Sequence, residues 1–253
     1  MPDKTVLVTT SWDDGHELDV RLADLLDRYG LAATFYVAPR YHKIQGFRPL
    51  SPTSLVTIAE RFEIGGHTLT HPHLPRLRPA RAMDEILGGK HAVEDVIGRE
   101  ITSFCYPYGA YRPEHLPMVA EAGFTAARTS RRGSCAVRVH PLEMPTTVHA
   151  ARYRRDTWSL LRGGPSIRRG WERWRNWDVH ARILLDEAAG RGGMFHLWGH
   201  SWEIEAHDDW GRLERFLAHL SARENVQFVT NAELAVAAGA GTDLGPPAGD
   251  LSR

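Results

Sequence analysis

Cysteine is scarce in this chain: Cys105 and Cys135 are the only two in 253 residues. Two thiols do not build a disulfide framework, and so low a count suits a reduced compartment. No apolar stretch reaches the ~18 residues that a membrane-spanning helix needs. No charged-then-apolar leader opens the chain either, because strand-like sequence begins at Thr5, so a cytoplasmic location is the default expectation. Net charge is also missing, since 31 basic residues balance 31 acidic ones. That balance argues against a general polyanion binder, and nucleic-acid binding is not expected. No Gly-x-Gly-x-x-Gly follows the first strand, and no internal repeat is evident.

What the chain does have is an alternation of apolar runs and helix-period segments. Strands are expected at residues 5–10, 33–38, 62–64, 102–106, 124–128, 194–198 and 226–229. Between them, Leu18, Leu22, Leu25, Leu26 and Tyr29 mark one helical face that Gly30 can close. Further helices are expected from about 51–54, over 79–98, 113–122 and 210–223, and from Asn231. Strand-helix alternation means a parallel sheet. With about seven strands and polar motifs at their C-terminal ends, a distorted, TIM-like (β/α) barrel fits better than an open doubly wound sheet. With 42% apolar residues the chain can bury a sizeable core, and a single domain over 1–238 is expected, followed by a disordered Gly- and Pro-rich tail over 239–253.

The chemistry concentrates where strands end. Ser11-Trp12-Asp13-Asp14-Gly15 closes the first strand with two adjacent carboxylates, and His67 and His71 follow the third in Gly66-His67-Thr68-Leu69-Thr70-His71-Pro72. Two imidazoles four residues apart can meet one ion on a helical turn or a compact loop. One carboxylate completes three protein ligands and leaves a position for water, as in a catalytic zinc site. The second carboxylate is then free to take a proton, which suggests hydrolysis. Either motif alone is weak, since Asp-Asp-Gly is more often a capped turn; their order and placement make the joint reading strong.

Taken with Phe104-Cys105-Tyr106-Pro107-Tyr108-Gly109 and Trp198-Gly199-His200-Ser201-Trp202-Glu203, these motifs resemble the successive signatures of the polysaccharide deacetylase family, the NodB-homology domain of carbohydrate esterases. The resemblance runs from about residue 5 to about 235. It implies a distorted (β/α) barrel, a divalent metal and removal of an acyl group from a sugar. The metal would be zinc in the first place, with cobalt, nickel or manganese as alternatives. It further implies Asp13 as general base, Asp14, His67 and His71 as metal ligands, His200 as general acid and the backbone N–H of Tyr108 as oxyanion donor. Many members carry an arginine early in the third motif that orients the base. Cys105 stands in that place here and cannot make a bidentate pair with a carboxylate; Arg128, at the end of the next strand, can provide the guanidinium or can be structural.

Substrate contacts are expected from Trp198, Trp202, Glu203, Tyr106 and Pro107, against the plainer readings of core packing, a solvated helix entry and an aromatic turn. His196 suits a hydrogen-bonded core histidine better than His200 does. Between Arg152 and Arg175 lie eight arginines and only two acidic residues, with Trp158, Trp171 and Trp174 interleaved. The 151–180 segment therefore reads as a helix packed on the barrel, or as an inserted lid for an anionic substrate. An acylated sugar, glycan or glycoconjugate, anionic in the lid reading, is the expected partner. A non-sugar amide, imide, ureide or formyl compound is the alternative substrate, and a binding module without turnover the alternative class. Composition leaves the oligomeric state open.

Overall fold

The computed structural model describes residues 5–42, 44–151 and 176–239. Eight strands lie in one sheet among the described residues: β1 (Val6–Asp14), β2 (Thr34–Val37), β3 (Glu63–Gly66), β4 (Ser103–Cys105), β5 (Ala126–Arg128), β6 (Val148–His149), β7 (Met194–Gly199) and β8 (Val226–Phe228). Every pairing between them is parallel, and the path runs β5-β4-β3-β2-β1-β7-β6, with β8 also on β1. The helices are α1 (Asp19–Arg28), α2 (Pro52–Ala59), α3 (Pro79–Ile97), α4 (His115–Glu121), α5 (Trp177–Arg191), α6 (Ser201–Ala206), α7 (Trp210–Ser221) and α8 (Asn231–Gly239). None of the described helices is long and apolar enough to cross a membrane.

The sheet curls until its ends meet, which makes it the expected distorted barrel. Met144 forms a parallel bridge to Arg128 of β5: its N–H donates to Ala127 O at 2.9 Å and its carbonyl accepts from Thr129 N–H at 2.8 Å. A few residues on, Thr147 N–H donates to His196 O at 3.0 Å, and β6 pairs with β7. The segment before β6 thus spans the gap between β5 and β7.

Strand alternation explains the interior. On β1, Thr9, Ser11 and Asp13 share a face: Thr9 donates to Asn231 Oδ1 at 2.9 Å, Ser11 Oγ lies 2.9 Å from His196 Nε2, and Asp13 pairs with Arg128. Three strands separate β1 from β5 in the sheet, so an Asp13–Arg128 pair requires both side chains to point into a curled barrel. The apolar faces pack outward under the helices. Leu22, Leu25 and Leu26 of α1 are buried, as are Leu213, Phe216, Leu217 and Leu220 of α7, in one core with Val8, Phe35 and Phe195. Burying side chains of this size stabilises by about 1.5–3 kcal/mol each relative to exposure.

One glycine is needed where β3 approaches its neighbours. A Cβ on Gly65 would lie 2.5 Å from the Tyr36 ring and 2.8 Å from Ser103 O. Most of the Arg- and Trp-rich insertion, 152–175, and the tail beyond 239 lie outside the described residues, so the lid and disorder expectations concern sequence not described here. Trp177 is described: it is buried on the first turn of α5, and its indole N–H donates to Asp209 at 3.2 Å. That gives it the packing role rather than the lid role.

Candidate active site

All strands are parallel, so their C-terminal ends meet at one mouth of the barrel. Asp13 and Asp14 end β1, His67 follows β3, Cys105 ends β4, Arg128 ends β5, His149 ends β6 and His200 follows β7. A regular strand would send Asp13 and Asp14 to opposite faces. Asp14 adopts φ +83° and Gly15 φ +75°, and this turn brings the second carboxylate back toward the mouth.

The two histidines sit on a compact loop. Thr68, at φ +63°, donates its hydroxyl to His67 O at 2.5 Å and accepts the N–H of His71 at 3.1 Å. The loop is held from behind by α3, where Leu69 N–H donates to Glu85 O at 2.9 Å and Thr70 N–H to the Glu85 carboxylate at 2.9 Å. Among the described residues five non-glycine residues have positive φ: Asp14, Thr68, His71 and Tyr108 lie in these motifs, and Asp208 lies elsewhere. Such strain persists where surrounding structure over-determines it, and it clusters at functional sites.

The donor set fits a metal ion. Asp14 Oδ1 lies 3.7 Å from His67 Nε2 and 3.5 Å from His71 Nε2, and the three ligand atoms fall within 4.8 Å of one another. That oxygen is buried and has no hydrogen-bond partner in the protein. His67 Nδ1 lies 2.7 Å from Cys105 O, a carbonyl that only accepts, so Nδ1 carries the proton and the Nε2 lone pair faces Asp14. Burial lowers the pKa of both imidazoles, that of His71 to about 2 with help from His67, which leaves them in the neutral, ligating form. Among the described residues two other groups have comparable spacing, Asp13–His67–Cys105 and His149–His200–Glu203. In the first the carboxylate is already paired with Arg128, and in the second Glu203 Oε2 already binds His200 Nδ1.

Arg128 meets Asp13 directly. Its Nη2 is hydrogen-bonded to Asp13 Oδ1, and both side chains are almost wholly buried. Cys105, in register with Arg128 on the neighbouring strand, donates its thiol to Asp13 Oδ2 at 3.7 Å. Burial alone would raise the Asp13 pKa, but the Arg128 guanidinium, helped by His67 and His200, holds it at about 2. Burial likewise opposes a charge on His200. There the hydrogen bond from Nδ1 to Glu203 at 2.5 Å, with Asp14 nearby, outweighs it and lifts the imidazole to about 9. His200 Nε2 then lies 3.8 Å from Asp14 Oδ2.

The aromatic residues divide. Trp202 donates its indole N–H to Asp14 Oδ2 at 3.0 Å, so it orients a carboxylate as well as offering a ring. Tyr108 is 57% exposed, with its ring 4.5 Å from that of His71. Trp198 is buried between the Arg128 guanidinium at 4.7 Å and the His149 ring at 4.3 Å. Tyr106 is fully buried, donates to Leu142 O at 3.1 Å and stacks on Tyr111; Pro107 is buried as well. These placements give Trp198, Tyr106 and Pro107 packing roles around the site. His196 is the hydrogen-bonded interior histidine expected, held by burial at about 3.

Motif reasoning gives His149 no role. Its strand is two residues long, and the cue available was a histidine directly after Thr146-Thr147-Val148, just ahead of the Arg-rich run.

Comparison with known proteins bears on the family and the fold. The sequence profile of the polysaccharide deacetylase family matches residues 1–127, half of the chain. A chitooligosaccharide deacetylase of Bradyrhizobium sp. (strain ANU 289) is 31% identical over 110 residues, which is 42% of this chain and 47% of that one. The match therefore spans about half the length of that curated relative. Among solved structures, one assigned as a polysaccharide deacetylase from Mycobacterium smegmatis superposes with a TM-score of 0.71 at 16% identity, covering 100% of this chain and 96% of that one. The peptidoglycan deacetylase PdaC of Bacillus subtilis gives a TM-score of 0.56 at 19% identity, covering 94% and 93%. At these identities the structural likeness is one of fold.

Proposed function

The chain belongs to the polysaccharide deacetylase family, and on that premise we propose that it is a metal-dependent hydrolase that removes an N-linked acyl group, acetyl in the first instance, from a sugar or sugar conjugate. The observation that carries the reading is the separation of two proton-transfer groups around Asp14. Asp13 is held ionised at about 2, and His200 is held protonated at about 9. Environments that push two titratable groups apart assign the base and the acid.

Asp14, His67 and His71 would hold the ion. A divalent ion there supplies Lewis-acid polarisation and an acidified water, which a carboxylate of pKa about 2 needs in order to act as a base. Asp13, fixed by Arg128 through Oδ1, accepts the proton from water on Oδ2, which carries only the long contact from the Cys105 thiol. The oxyanion developing at the acyl carbon meets the backbone N–H of Tyr108, on a turn set by Pro107 and Gly109. His200, oriented by Glu203, gives its proton to the departing amine. Trp202 fixes the second oxygen of Asp14, and the exposed ring of Tyr108 offers a flat apolar face to a sugar ring.

The test is acetate release from a panel of N-acetylated sugars and chitooligosaccharides, using metal-stripped enzyme with zinc or cobalt added back. Asp13→Asn is expected to keep the metal and to lose activity by about a hundredfold to ten-thousandfold, whereas His67→Ala is expected to lose the metal. A fully active Asp13→Asn enzyme would sink the assignment. Absence of release from every sugar, with one ion per chain still bound, would move the substrate to imides, ureides or formamides.

A further inference from the structure

His149 has no part in the chemistry described so far, yet it stands one residue from the acid. Its side chain is 1% exposed at the end of β6. Its Nε2 lies 3.2 Å from Glu203 Oε2, within ion-pair distance but with the ring not aligned for a hydrogen bond, and the same oxygen is hydrogen-bonded to His200 Nδ1 at 2.5 Å. One carboxylate oxygen thus sits between two imidazoles carried by different elements, β6 and the entrance to α6. The His149 ring packs edge-on to Trp198, with centroids 4.3 Å apart and planes at 76°, which bars it from swinging away.

A glutamate reaches its partner over two methylene groups and fixes nothing unless it is itself fixed. Glu203 and His200 are three residues apart on one short helical turn, so neither anchors the other against the barrel wall. His149 supplies that anchor from the wall. Burial keeps its imidazole neutral, so it has a single N–H to give. A small tilt of the ring would align an N–H at Nε2 on Glu203 Oε2 and leave the carboxylate charge intact for His200.

We propose that His149 is a positioning residue for His200: its Nε2–H fixes the Glu203 carboxylate, which in turn holds the His200 ring with Nε2 turned toward Asp14. The catalytic consequence rests on the reading of His200 as the acid, whereas the orientation of the ring does not. A misplacement of about 1 Å at a reacting group can cost about a hundredfold in rate.

The test compares His149→Leu, which fills the space without a donor, with His149→Gln, which keeps an N–H near the same point. The first readout is the ring-proton spectrum of 15N-histidine-labelled, metal-loaded protein. The strongly hydrogen-bonded His200 Nδ1–H is identified by its loss in His200→Gln and in Glu203→Gln. It should move upfield or broaden in His149→Leu and return in His149→Gln. The second readout is turnover on whichever acylated sugar the panel yields. For His149→Leu, kcat should fall about tenfold to a hundredfold with KM and metal content unchanged, and His149→Gln should recover most of the loss. An unchanged resonance in a folded His149→Leu protein overturns the proposal. So does a loss of kcat, KM and metal that is equal in the two variants, because that marks a structural role. The spectrum needs no substrate, so the proposal can be judged even if no sugar is deacetylated.

Discussion

Removing the guanidinium of Arg128 should destabilise the protein in a way that depends on Asp13 and on pH. The pair is buried on both sides, with side-chain exposures of 1% and 4%, so Arg128→Met leaves a buried carboxylate without the guanidinium that is its main counter-charge and its hydrogen-bond donor. Breaking such a pair from one side costs about 3–5 kcal/mol. In the wild type, Asp13 is depressed to about 2 from an ordinary 3.8, so its pairing contributes roughly 2 kcal/mol at neutral pH. That contribution is present above 3.8 and is lost as pH falls through about 2. In Arg128→Met the burial that Arg128 had offset now dominates and raises the Asp13 pKa above its unfolded value. The sign therefore reverses: the variant is best off where Asp13 is protonated and loses stability as pH rises. Its deficit against wild type should be larger at pH 8 than at pH 5. The assay is urea unfolding of wild type, Arg128→Met, Asp13→Asn and the double variant at both pH values, with metal stripped from all four so that metal linkage does not enter. Because the double variant leaves neither charge stranded, its loss should fall short of the sum of the single losses by about 2 kcal/mol. Additivity to within about 0.5 kcal/mol, or a deficit that does not vary with pH, would refute the coupling.

Trp202→Phe keeps the ring but removes the N–H that holds Asp14 Oδ2; zinc affinity should fall about tenfold to a hundredfold, read by competition with a chromogenic chelator, with the fold intact by circular dichroism. Thr68→Gly relieves a β-branched residue at φ +63° but deletes the hydroxyl between His67 O and His71 N–H. Its unfolding free energy should stay within about 1 kcal/mol of wild type, because the strain released, about 1–3 kcal/mol, offsets the lost hydrogen bonds. Its metal affinity should nevertheless drop, and a variant that binds zinc as tightly as wild type would show that the loop needs no such clamp.

The barrel was readable because its strands carry period and punctuation. Apolar runs such as those ending at Thr10 and Trp198 stand out from the helices between them, and Gly98 closes α3 at φ +69° where a stop is expected. Parts that depend on tertiary contact were not readable. β6 is two residues that pair with β7 only through Leu197 and Trp198, too few to leave a periodic trace. α5 buries Ala181, Ala188 and Ala189 beside Leu184 and Leu185, and an alanine-rich face contrasts weakly with its polar side. The place of Arg128 on Asp13 is set by the curl of the sheet. In sequence the two are 115 residues apart, and Arg128 reaches Asp13 from the strand beside Cys105.

The site is also deeper than its motifs. Three of the motif side chains at the mouth are held by a partner from another element, His67 by the Cys105 carbonyl, Asp14 by Trp202 and Asp13 by Arg128, while His200 is held by Glu203 on its own turn. The chemistry constrains the identity of the first members of these pairs. The second members need only deliver an N–H, a carbonyl or a charge at a given point, and several residues on several strands can do that. A barrel brings the end of every strand to the same mouth, so such a supporting group can come from any of several strands, and Cys105 of β4 and Arg128 of β5 both reach Asp13. The strained backbone at Asp14, Thr68, His71 and Tyr108 follows from the same arrangement. Regular strands and helices would turn these groups away from one another, and the free energy that holds them together, on the order of 1–3 kcal/mol for each residue, is drawn from the packed core below.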